Sequence, residues 1–383
     1  MTEWKEYKLG EVCTELSDGL HKAPVFKEGG DYIFVNAKNI ANGYIVDNDP
    51  TKKSTYDEFL KYSSPLNDTT ILYSIDGTIG NIAIYRGEKC ILGKGACYMN
   101  PNPKMLNRMY LYYELQSPRF KAYIDQMSTG STIQHISLKT MRNYVFTCPS
   151  LSEQKSIASI LSSLDDKIDL LHCENATLEQ MAETLFRQWF VMEAKEEWKE
   201  KPLSTIATFL NGLACQKYPP KNEIDKLPVL KIRELSSGIG NDSDWATTDV
   251  ESEYIVHTGD VIFAWSASLM VKIWDGEDCI LNQHLFKVTS EKYPKWFYYY
   301  WCKHHLDEFI SIAQSHATTM GHIKRGDLDT AMVLVPSDEE LLSMTAQMEG
   351  LLRKMENNNE QINTLIQTRD GLLPRLMSGE VKS

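Results

Sequence analysis

The sequence predicts an α+β protein in which two repeated α/β modules are joined by two long helices, paired as an antiparallel coiled coil with pseudo-twofold symmetry. Three observations predict this fold class: motifs that recur in order in both halves, short apolar runs separated by turn residues in each half, and a heptad pattern after each half. A single hydrophobic core stops growing at about 250–300 residues. Because this chain has 383 residues, 42% of them hydrophobic, we expect two cores.

The internal repeat is visible when the chain is compared with itself. Three pairs of segments carry it: Trp4–Glu6 with Trp198–Glu200, Gly87–Leu92 with Gly276–Leu281, and Thr132–Ile136 with Thr319–Ile323. The offset falls from 194 to 187 along the chain, which indicates small loop deletions inside a duplicated unit. A period this long is typical of a duplicated domain and not of a solenoid.

Each repeat contains predicted strands followed by a helix rich in aromatic residues, which indicates an α+β module. The predicted strands are Tyr32–Val35, Thr70–Tyr73 and Ile82–Tyr85 in the first copy, and Pro228–Ile232, Val261–Trp265 and Val271–Trp274 in the second. The aromatic helices contain Tyr110–Tyr113 and Trp296–Tyr300. We therefore expect a first module at residues 1–150, a central helix at 151–193, a second module at 194–337 and a C-terminal helix at 338–383.

Apolar residues recur in alternating steps of three and four after each module, which is the pattern of a coiled-coil seam. The predicted seam consists of Ile157, Leu161, Leu164, Ile168, Leu171, Asn175, Leu178, Met348, Leu351, Met355, Asn358, Ile362 and Leu365. One such stripe alone could belong to a helix packed on its own module. Two matched helices of about 39 residues, each about 58 Å long, exceed what one small domain covers, so we expect them to pair.

Polar residues refine the helix prediction. Asn175 and Asn358 occupy opposite rows of the two patterns, so an antiparallel pair would place them in one layer. They either form a hydrogen bond that fixes the register, or each marks a frayed or solvent-facing layer.

Pro149 and Pro336 prevent earlier helix starts, and Ser152 with nearby acids suits a helix N-terminus.

Composition excludes several classes of protein. No window approaches the run of about 18 apolar residues that a membrane helix needs, and the N-terminus lacks a signal pattern, so we expect a cytoplasmic protein. The eight cysteines include no C-x-x-C pair, so no metal site or disulfide framework is predicted. The net charge of −12 argues against a uniformly basic nucleic-acid binder, although total charge does not say where the charges lie. Acids concentrate in the predicted central helix, whereas 89–113 and 126–150 are locally cationic.

Two polar loops, one before the last strand of each module, are candidates for contacts to DNA. Hydroxyls and amides suit phosphate oxygens, and glutamine, lysine or arginine can bind base edges. The predicted DNA-binding residues are Lys94, Thr129, Ser131, Thr132, Gln134, His135, Lys139 and Arg142 in the first module, and His316, Thr318, Thr319, His322, Lys324 and Arg325 in the second. An ordinary polar turn explains either loop alone, but recurrence in both copies favours contact. Asp76–Gly80 and Gly93–Gly95 do not fit a phosphate-binding P-loop.

The whole chain resembles the specificity subunit of a type I restriction-modification enzyme. Pro149–Ile157 at the start of the central helix and Leu185–Phe190 near its end carry the resemblance, with Asp76–Gly80, the Thr-Gly-Ser-Thr loop and the closing Leu373–Glu380. The second copy departs from the pattern. Ser337–Leu341 replaces the usual Glu-Gln helix opening, and Ala264–Ser268 replaces the Gly-Thr-Ile-Gly turn.

This resemblance implies two target-recognition domains, each reading one half of a bipartite, asymmetric site in double-stranded DNA. The helices would set the spacer and dock two modification subunits, which methylate adenine with S-adenosylmethionine, and restriction subunits, which cut DNA with ATP, would join through the complex. The chain itself would be non-catalytic, with no cofactor. A different class of protein, a coiled-coil scaffold whose modules bind proteins and not DNA, also fits the acidic composition; a salt-dependent gel shift separates the two.

Overall fold

The computed structural model describes residues 4–48, 51–128, 135–240, 242–315 and 321–381. The chain divides into two compact units. Unit 1 contains residues 1–169 and 364–383, and unit 2 contains residues 170–363. Each unit thus combines one predicted module with part of each predicted long helix. The compact units therefore do not follow the linear order of modules and helices along the chain.

The elements of the first module alternate short strands and short helices. In chain order they are β1 (Lys5–Lys8), α1 (Leu9–Val12), β2 (Cys13–Asp18), β3 (Tyr32–Val35), β4 (Ile40–Ala41), β5 (Tyr44–Ile45), β6 (Lys53–Ser54), α2 (Tyr56–Tyr62), β7 (Ile71–Ser74), β8 (Ile82–Ile84), β9 (Cys90–Leu92), β10 (Ala96–Pro101), α3 (Arg108–Glu114), α4 (Pro118–Met127), α5 (Leu138–Asn143) and β11 (Val145–Cys148). The first long helix, α6 (Leu151–Arg187), follows and ends in a π-helical turn, Gln188–Met192.

The second module repeats this order at its start and from its central hairpin onwards, and differs in between, where a helix follows the third strand directly. Its elements are β12 (Lys199–Pro202), α7 (Leu203–Ile206), β13 (Thr208–Asn211), β14 (Lys226–Leu230), α8 (Ile232–Ser237), β15 (Trp245–Thr247), β16 (Ile255–Val256), β17 (Val261–Ala264), β18 (Met270–Ile273), β19 (Cys279–Leu281), β20 (Leu285–Thr289), α9 (Lys295–His304), α10 (Leu306–Ser315), α11 (Arg325–Thr330) and β21 (Met332–Val335). The second long helix is α12 (Asp338–Met377). No helix in the described ranges is both long and apolar enough to cross a membrane.

Both modules contain the same central sheet. Its strand order is β2-β10-β7-β8 in unit 1 and β13-β20-β17-β18 in unit 2, with antiparallel neighbours. A second sheet contains the parallel pair β3–β9 or β14–β19. The first and last strands of each module also pair, β1 with β11 and β12 with β21. The predicted duplication and α+β fold class are confirmed.

The strands form where the sequence is apolar because both faces of the central strands are covered. All four residues of β7 and of β17 are buried. The predicted strand at Pro228–Ile232 is shifted, since β14 runs from Lys226 to Leu230 and Ile232 begins α8. The predicted aromatic helices correspond to α3 and α9.

The aromatic helix of each module packs against a long helix and bonds to it. In unit 1, the Tyr113 hydroxyl donates to Asp165 of α6 at 2.6 Å. In unit 2, the Tyr299 and Tyr300 hydroxyls donate to Glu179 of α6 at 3.1 and 3.2 Å. The acceptors, Asp165 and Glu179, are among the acids that the sequence analysis locates on the central helix. Part of the negative charge of α6 therefore binds the aromatic helix of each module to α6.

The long helices begin after prolines, as predicted, but the capping residue differs. The amide of Glu153 lies 3.4 Å from the hydroxyl of Ser150, so Ser150 and not Ser152 stands at the start of α6. At α12, Ser337 and Glu340 form reciprocal bonds of 3.3 and 3.1 Å, which is a capping box. In each case, the cap directly follows the proline.

Within each unit, the long helices pair in antiparallel fashion. In unit 1, Ile157 packs into the same core as Leu376, and Asp165 bonds to Arg369 at 2.9 Å. In unit 2, Ala182 shares a core with Met348. All thirteen predicted seam residues are buried or half-buried.

The two seam asparagines lie in one layer inside unit 2. Asn358 is 0% exposed, and its side-chain nitrogen donates to Oδ1 of Asn175 at 2.9 Å and to Glu174 at 3.1 Å. The nitrogen of Asn175 donates to Asn359 at 2.6 Å. The bonded alternative is therefore the observed one, and Asn358 is not solvent-facing.

Replacement of both Asn175 and Asn358 by leucine is expected to keep the chain folded but to permit shifted pairings or additional oligomers. Leucines pack equally well in several registers, whereas a buried amide pair requires one alignment. Analytical ultracentrifugation and cysteine cross-linking between the helices measure this. The single variant Asn175→Leu is the control, because it leaves the buried Asn358 amide without that partner and should cost about 1–3 kcal/mol. A double variant with one register and one mass would contradict the role in register.

Candidate nucleic-acid interface

Four segments of unit 1 meet at one end of its central sheet: the chain after β2, the β7–β8 loop, the β9–β10 turn and the chain before α5. Leu20 forms a parallel bridge to Gly93. The amide of Ile75 donates to the carbonyl of Gly95 at 3.0 Å. Asp76 forms an antiparallel bridge to His135. Backbone contacts therefore fix all four segments beside one another.

Charged side chains cover this end of unit 1. Oxygens of Asp76 lie 3.8 Å from Nζ of Lys94 and 3.9 Å from Nδ1 of His135. Next to them, His21 and Asp18 form a pair at 3.0 Å. The side chains of His21 and Lys94 are 64% and 49% exposed, so both are accessible to a ligand. We call these five residues the module 1 face.

Unit 2 builds the same arrangement from the equivalent segments. Leu213 forms a parallel bridge to Asn282, and Ser266 forms an antiparallel bridge to His322. The bridges align the two units position by position. The module 2 face, which corresponds in order to Asp18, His21, Asp76, Lys94 and His135, consists of Asn211, Ala214, Ser266, Gln283 and His322.

Local backbone geometry explains two features of these loops. A Cβ on Gly19 would lie 2.2 Å from the backbone carbon of Leu92, and one on Gly212 would lie 2.3 Å from the carbonyl oxygen of Asn282, so the close approach requires glycine. In the β7–β8 loop, Gly77 has a φ of 76°, and Ala267 keeps that conformation with a φ of 58°. The second copy thus retains the turn without its glycine, at a cost of about 1–2 kcal/mol.

Side chains on the module 2 face make neutral hydrogen bonds. The indole nitrogen of Trp265 donates to Asn211 at 3.1 Å, and the hydroxyl of Ser266 lies 3.1 Å from Nδ1 of His284. Trp265 also stacks on Phe286, with ring centroids 5.6 Å apart. Amide, hydroxyl and imidazole groups both donate and accept, which is the chemistry that reads base edges.

In unit 1, some of the predicted contact residues lie together, whereas one of them, Arg142, bonds to the backbone of its own module. Lys94 and His135 meet at Asp76, and Lys139 is exposed on α5. Arg142 instead donates from Nη2 to the carbonyl of Leu16 at 2.5 Å, so it holds α5 against β2.

In unit 2, His322 lies in the loop cluster, and Lys324 and Arg325 are exposed at the start of α11. The remaining predicted contacts lie outside the described residues: Thr129, Ser131, Thr132, Gln134, His316, Thr318 and Thr319.

Sequence reasoning missed three of the five residues of the module 1 face and four of the five residues of the module 2 face. Asp76 and Ser266 lie in loops that the sequence comparison identifies, Asp76–Gly80 and Ala264–Ser268, but neither residue is among the predicted contacts, and Asp18 and Gln283 lie in no predicted motif. The signal that could have found Gln283 was present, because Cys90–Leu92 and Cys279–Leu281 align and the next residues differ between the copies.

The two faces differ systematically in charge. Where module 1 carries Asp18, Asp76 and Lys94, module 2 carries an amide, a hydroxyl and an amide. The imidazole is kept in both, as His135 and His322. Among the residues that the structure describes, no group of three or more His, Cys, Asp or Glu is placed to hold a metal ion. Together, fold and faces define a duplicated protein whose two modules carry related but chemically different faces at the same end of their central sheets.

Comparisons with known proteins agree with this class. A family model described as the type I restriction modification DNA specificity domain matches residues 1–180 and 195–367. The chain therefore belongs to the type I restriction-modification DNA specificity family.

Two relatives come from Methanocaldococcus jannaschii. The specificity subunit of the type I restriction enzyme MjaIX is 24% identical, with 100% of this chain and 97% of that protein covered. That of MjaVIII is 22% identical, with 83% and 80% covered. The crystal structure of the S subunit of a type I restriction-modification system from M. genitalium superposes with a TM-score of 0.56 at 14% identity, covering 98% of this chain and 96% of that one. The fold is therefore shared.

Proposed function

We propose that this chain is the DNA-reading subunit of a type I restriction-modification complex and that each face reads one half of a bipartite DNA site. The observation that carries the proposal is the duplication of the four-loop face with changed side chains. Two equal faces would read equal half-sites, as in a dimeric repressor on a palindrome. Because charges on the module 1 face are replaced by neutral groups on the module 2 face, the half-sites should differ.

Cationic side chains near each face supply the sequence-independent part of binding. Lys94 lies on the module 1 face and Lys139 follows His135 on α5, whereas Lys324 and Arg325 follow His322 at the start of α11. Lysine and arginine near the phosphates release counterions and position the protein, whereas base contacts specify the sequence. Local positive charge thus allows an acidic chain to bind DNA.

The long helices have a separate task in this proposal. They set the distance between the half-sites and dock two modification subunits, through which restriction subunits join. The chemistry, adenine methylation and ATP-dependent cleavage, belongs to those partners. The chain itself contributes recognition and no catalytic group, and it acts in the cytoplasm.

Methylome sequencing tests the proposal. Cells that express this chain with its modification subunit are expected to carry adenine methylation in a split, non-palindromic motif, since the two faces differ. Cells that express the modification subunit alone are the control and should lack that motif. A contiguous palindromic motif, or methylation independent of this chain, would refute the proposal.

A further inference from the structure

Lys94 and Gln283 occupy the same place in the two modules, at the second position of a tight turn. The amide of Ala96 donates to the carbonyl of Gly93 at 3.0 Å, and the amide of Leu285 donates to that of Asn282 at 2.9 Å. Both turns are therefore four-residue turns closed by a hydrogen bond, each between two strands of its module. The hydrogen bond fixes the backbone conformation of each turn, so the side chains of Lys94 and Gln283 start from equivalent and well-defined backbone positions.

Neighbouring strands hold both turns in place. The amide of Gly93 donates to the carbonyl of Val35 in β3 at 2.8 Å, and the equivalent amide of Asn282 donates to the carbonyl of Leu230 in β14 at 3.2 Å. Side chains on such supported turns keep their position better than side chains on free loops. This matters for reading bases, because a recognition group must be held within about 0.5 Å of its productive place.

The two faces share a histidine and differ at the turn position. His135 and His322 are the same residue at equivalent bridges, so we expect them to serve a task common to both modules, such as a phosphate contact. The turn position carries different chemistry. Lys94 is a cation with donors only, and its side chain is 49% exposed. Gln283 is neutral and both donates and accepts.

We infer that Lys94 and Gln283 are equivalent base-reading residues, Lys94 selecting guanine in one half-site and Gln283 selecting adenine in the other. A lysine donates to O6 and N7 of guanine, both acceptors in the major groove. A glutamine donates to N7 and accepts from N6 of adenine. The inference rests on the proposed function and adds to it the base class at one position of each half-site.

The test uses the full chain with its modification subunit. Methylome sequencing of Lys94→Gln is expected to replace a guanine by adenine at one position of one half-site, and Gln283→Lys is expected to make the reverse change in the other half-site. Lys94→Arg should keep guanine, since arginine binds the same two acceptors. In competition binding with the purified complex, the affinity for DNA with the preferred base at this position should exceed the affinity for DNA with the other base by tenfold or more.

Matched controls separate base reading from general charge and from folding. Lys104→Gln removes the same charge elsewhere in unit 1, outside the face, and should leave the motif unchanged. If Lys94→Gln lowers affinity equally for every sequence, or if both Lys94 variants retain the wild-type motif, the inference is overturned. The proposed function would survive that result as long as the wild-type motif is bipartite, and it fails separately if that motif is contiguous.

Discussion

Removal of one heptad from each long helix, residues 166–172 and 361–367, is expected to shorten the spacer of the recognised DNA site by about three base pairs while both half-sites stay the same. Seven residues span about 10.5 Å of helix, and B-DNA rises about 3.4 Å per base pair. The deleted segments contain the seam residues Ile168 and Leu171 of α6, and Ile362 and Leu365 of α12. Because a whole heptad is removed from each helix, the seam residues on either side of the deletion stay on the same face, with a relative rotation of about 20° about the helix axis.

Methylome sequencing of the shortened chain reads the spacer directly. Deletion of residues 166–172 from α6 alone is the matched control, because it shifts every later layer against α12 and separates Asn175 from Asn358. That control should lose methylation. A doubly shortened chain that keeps the original spacer would show that the helices do not measure the site.

Replacement of Arg119 by alanine is expected to destabilise the end of unit 1 around α3 by about 3 kcal/mol at neutral pH. Glu114 is 0% exposed, and Arg119 donates to its two oxygens at 3.1 and 2.7 Å. Tyr144 adds a third donor at 2.5 Å. Removal of one partner of a buried ion pair costs about 3–5 kcal/mol, and the partial exposure of Arg119 favours the lower end. Hydrogen exchange of α3 and β11 amides should accelerate about a hundredfold.

The same variant has a defined pH dependence. Burial raises the pKa of Glu114 even with Arg119 present, and loss of the arginine raises it further. The folded state then binds a proton at pH values where the unfolded carboxyl, with a pKa of about 4.3, has lost it. Stability therefore falls as the pH rises above that value, and the penalty should shrink between pH 7 and pH 5.

A triple variant provides the control for this buried cluster. Glu114→Leu, Arg119→Met and Tyr144→Phe replace the ion pair and the hydroxyl that donates to it by apolar groups of similar volume, so no buried hydroxyl loses its acceptor. The triple variant should recover most of the lost stability and show little pH dependence. An alanine variant with the same hydrogen exchange at pH 5 and pH 7 would contradict the assigned role of Glu114.

Regular elements were predictable from the sequence because their periodicity records burial. The heptad rows of α6 and α12 repeat at the spacing of one buried face. The strand β17 and the helix α9 are instead continuous apolar or aromatic runs, because their residues are buried on every side. The prolines before α6 and α12 located both helix starts to within two residues. Two serines follow within three residues of Pro149, and their spacing alone did not decide which one caps the helix.

The module 1 and module 2 faces, which we propose to read DNA, were only partly predictable, because tertiary bridges assemble them. Leu20 meets Gly93, and Asp76 meets His135, across separations that no local pattern records. Lys94 was expected among the contacts for its charge. Gln283 was not, since a single glutamine beside an aligned strand has no distinctive composition, and its importance appears only when the two turns are superposed.

The division of the chain into units has a consequence for the order of biosynthesis. Unit 2 is one continuous stretch, 170–363, whereas unit 1 includes residues 364–383. Leu376 and Met377 belong to the same hydrophobic core as Leu9 and Val12. The ribosome therefore makes most of unit 1 first, but its core cannot close until the end of α12 has been translated. The module that is synthesised first is thus completed last, and part of its apolar core stays uncovered until Leu376 and Met377 have been synthesised.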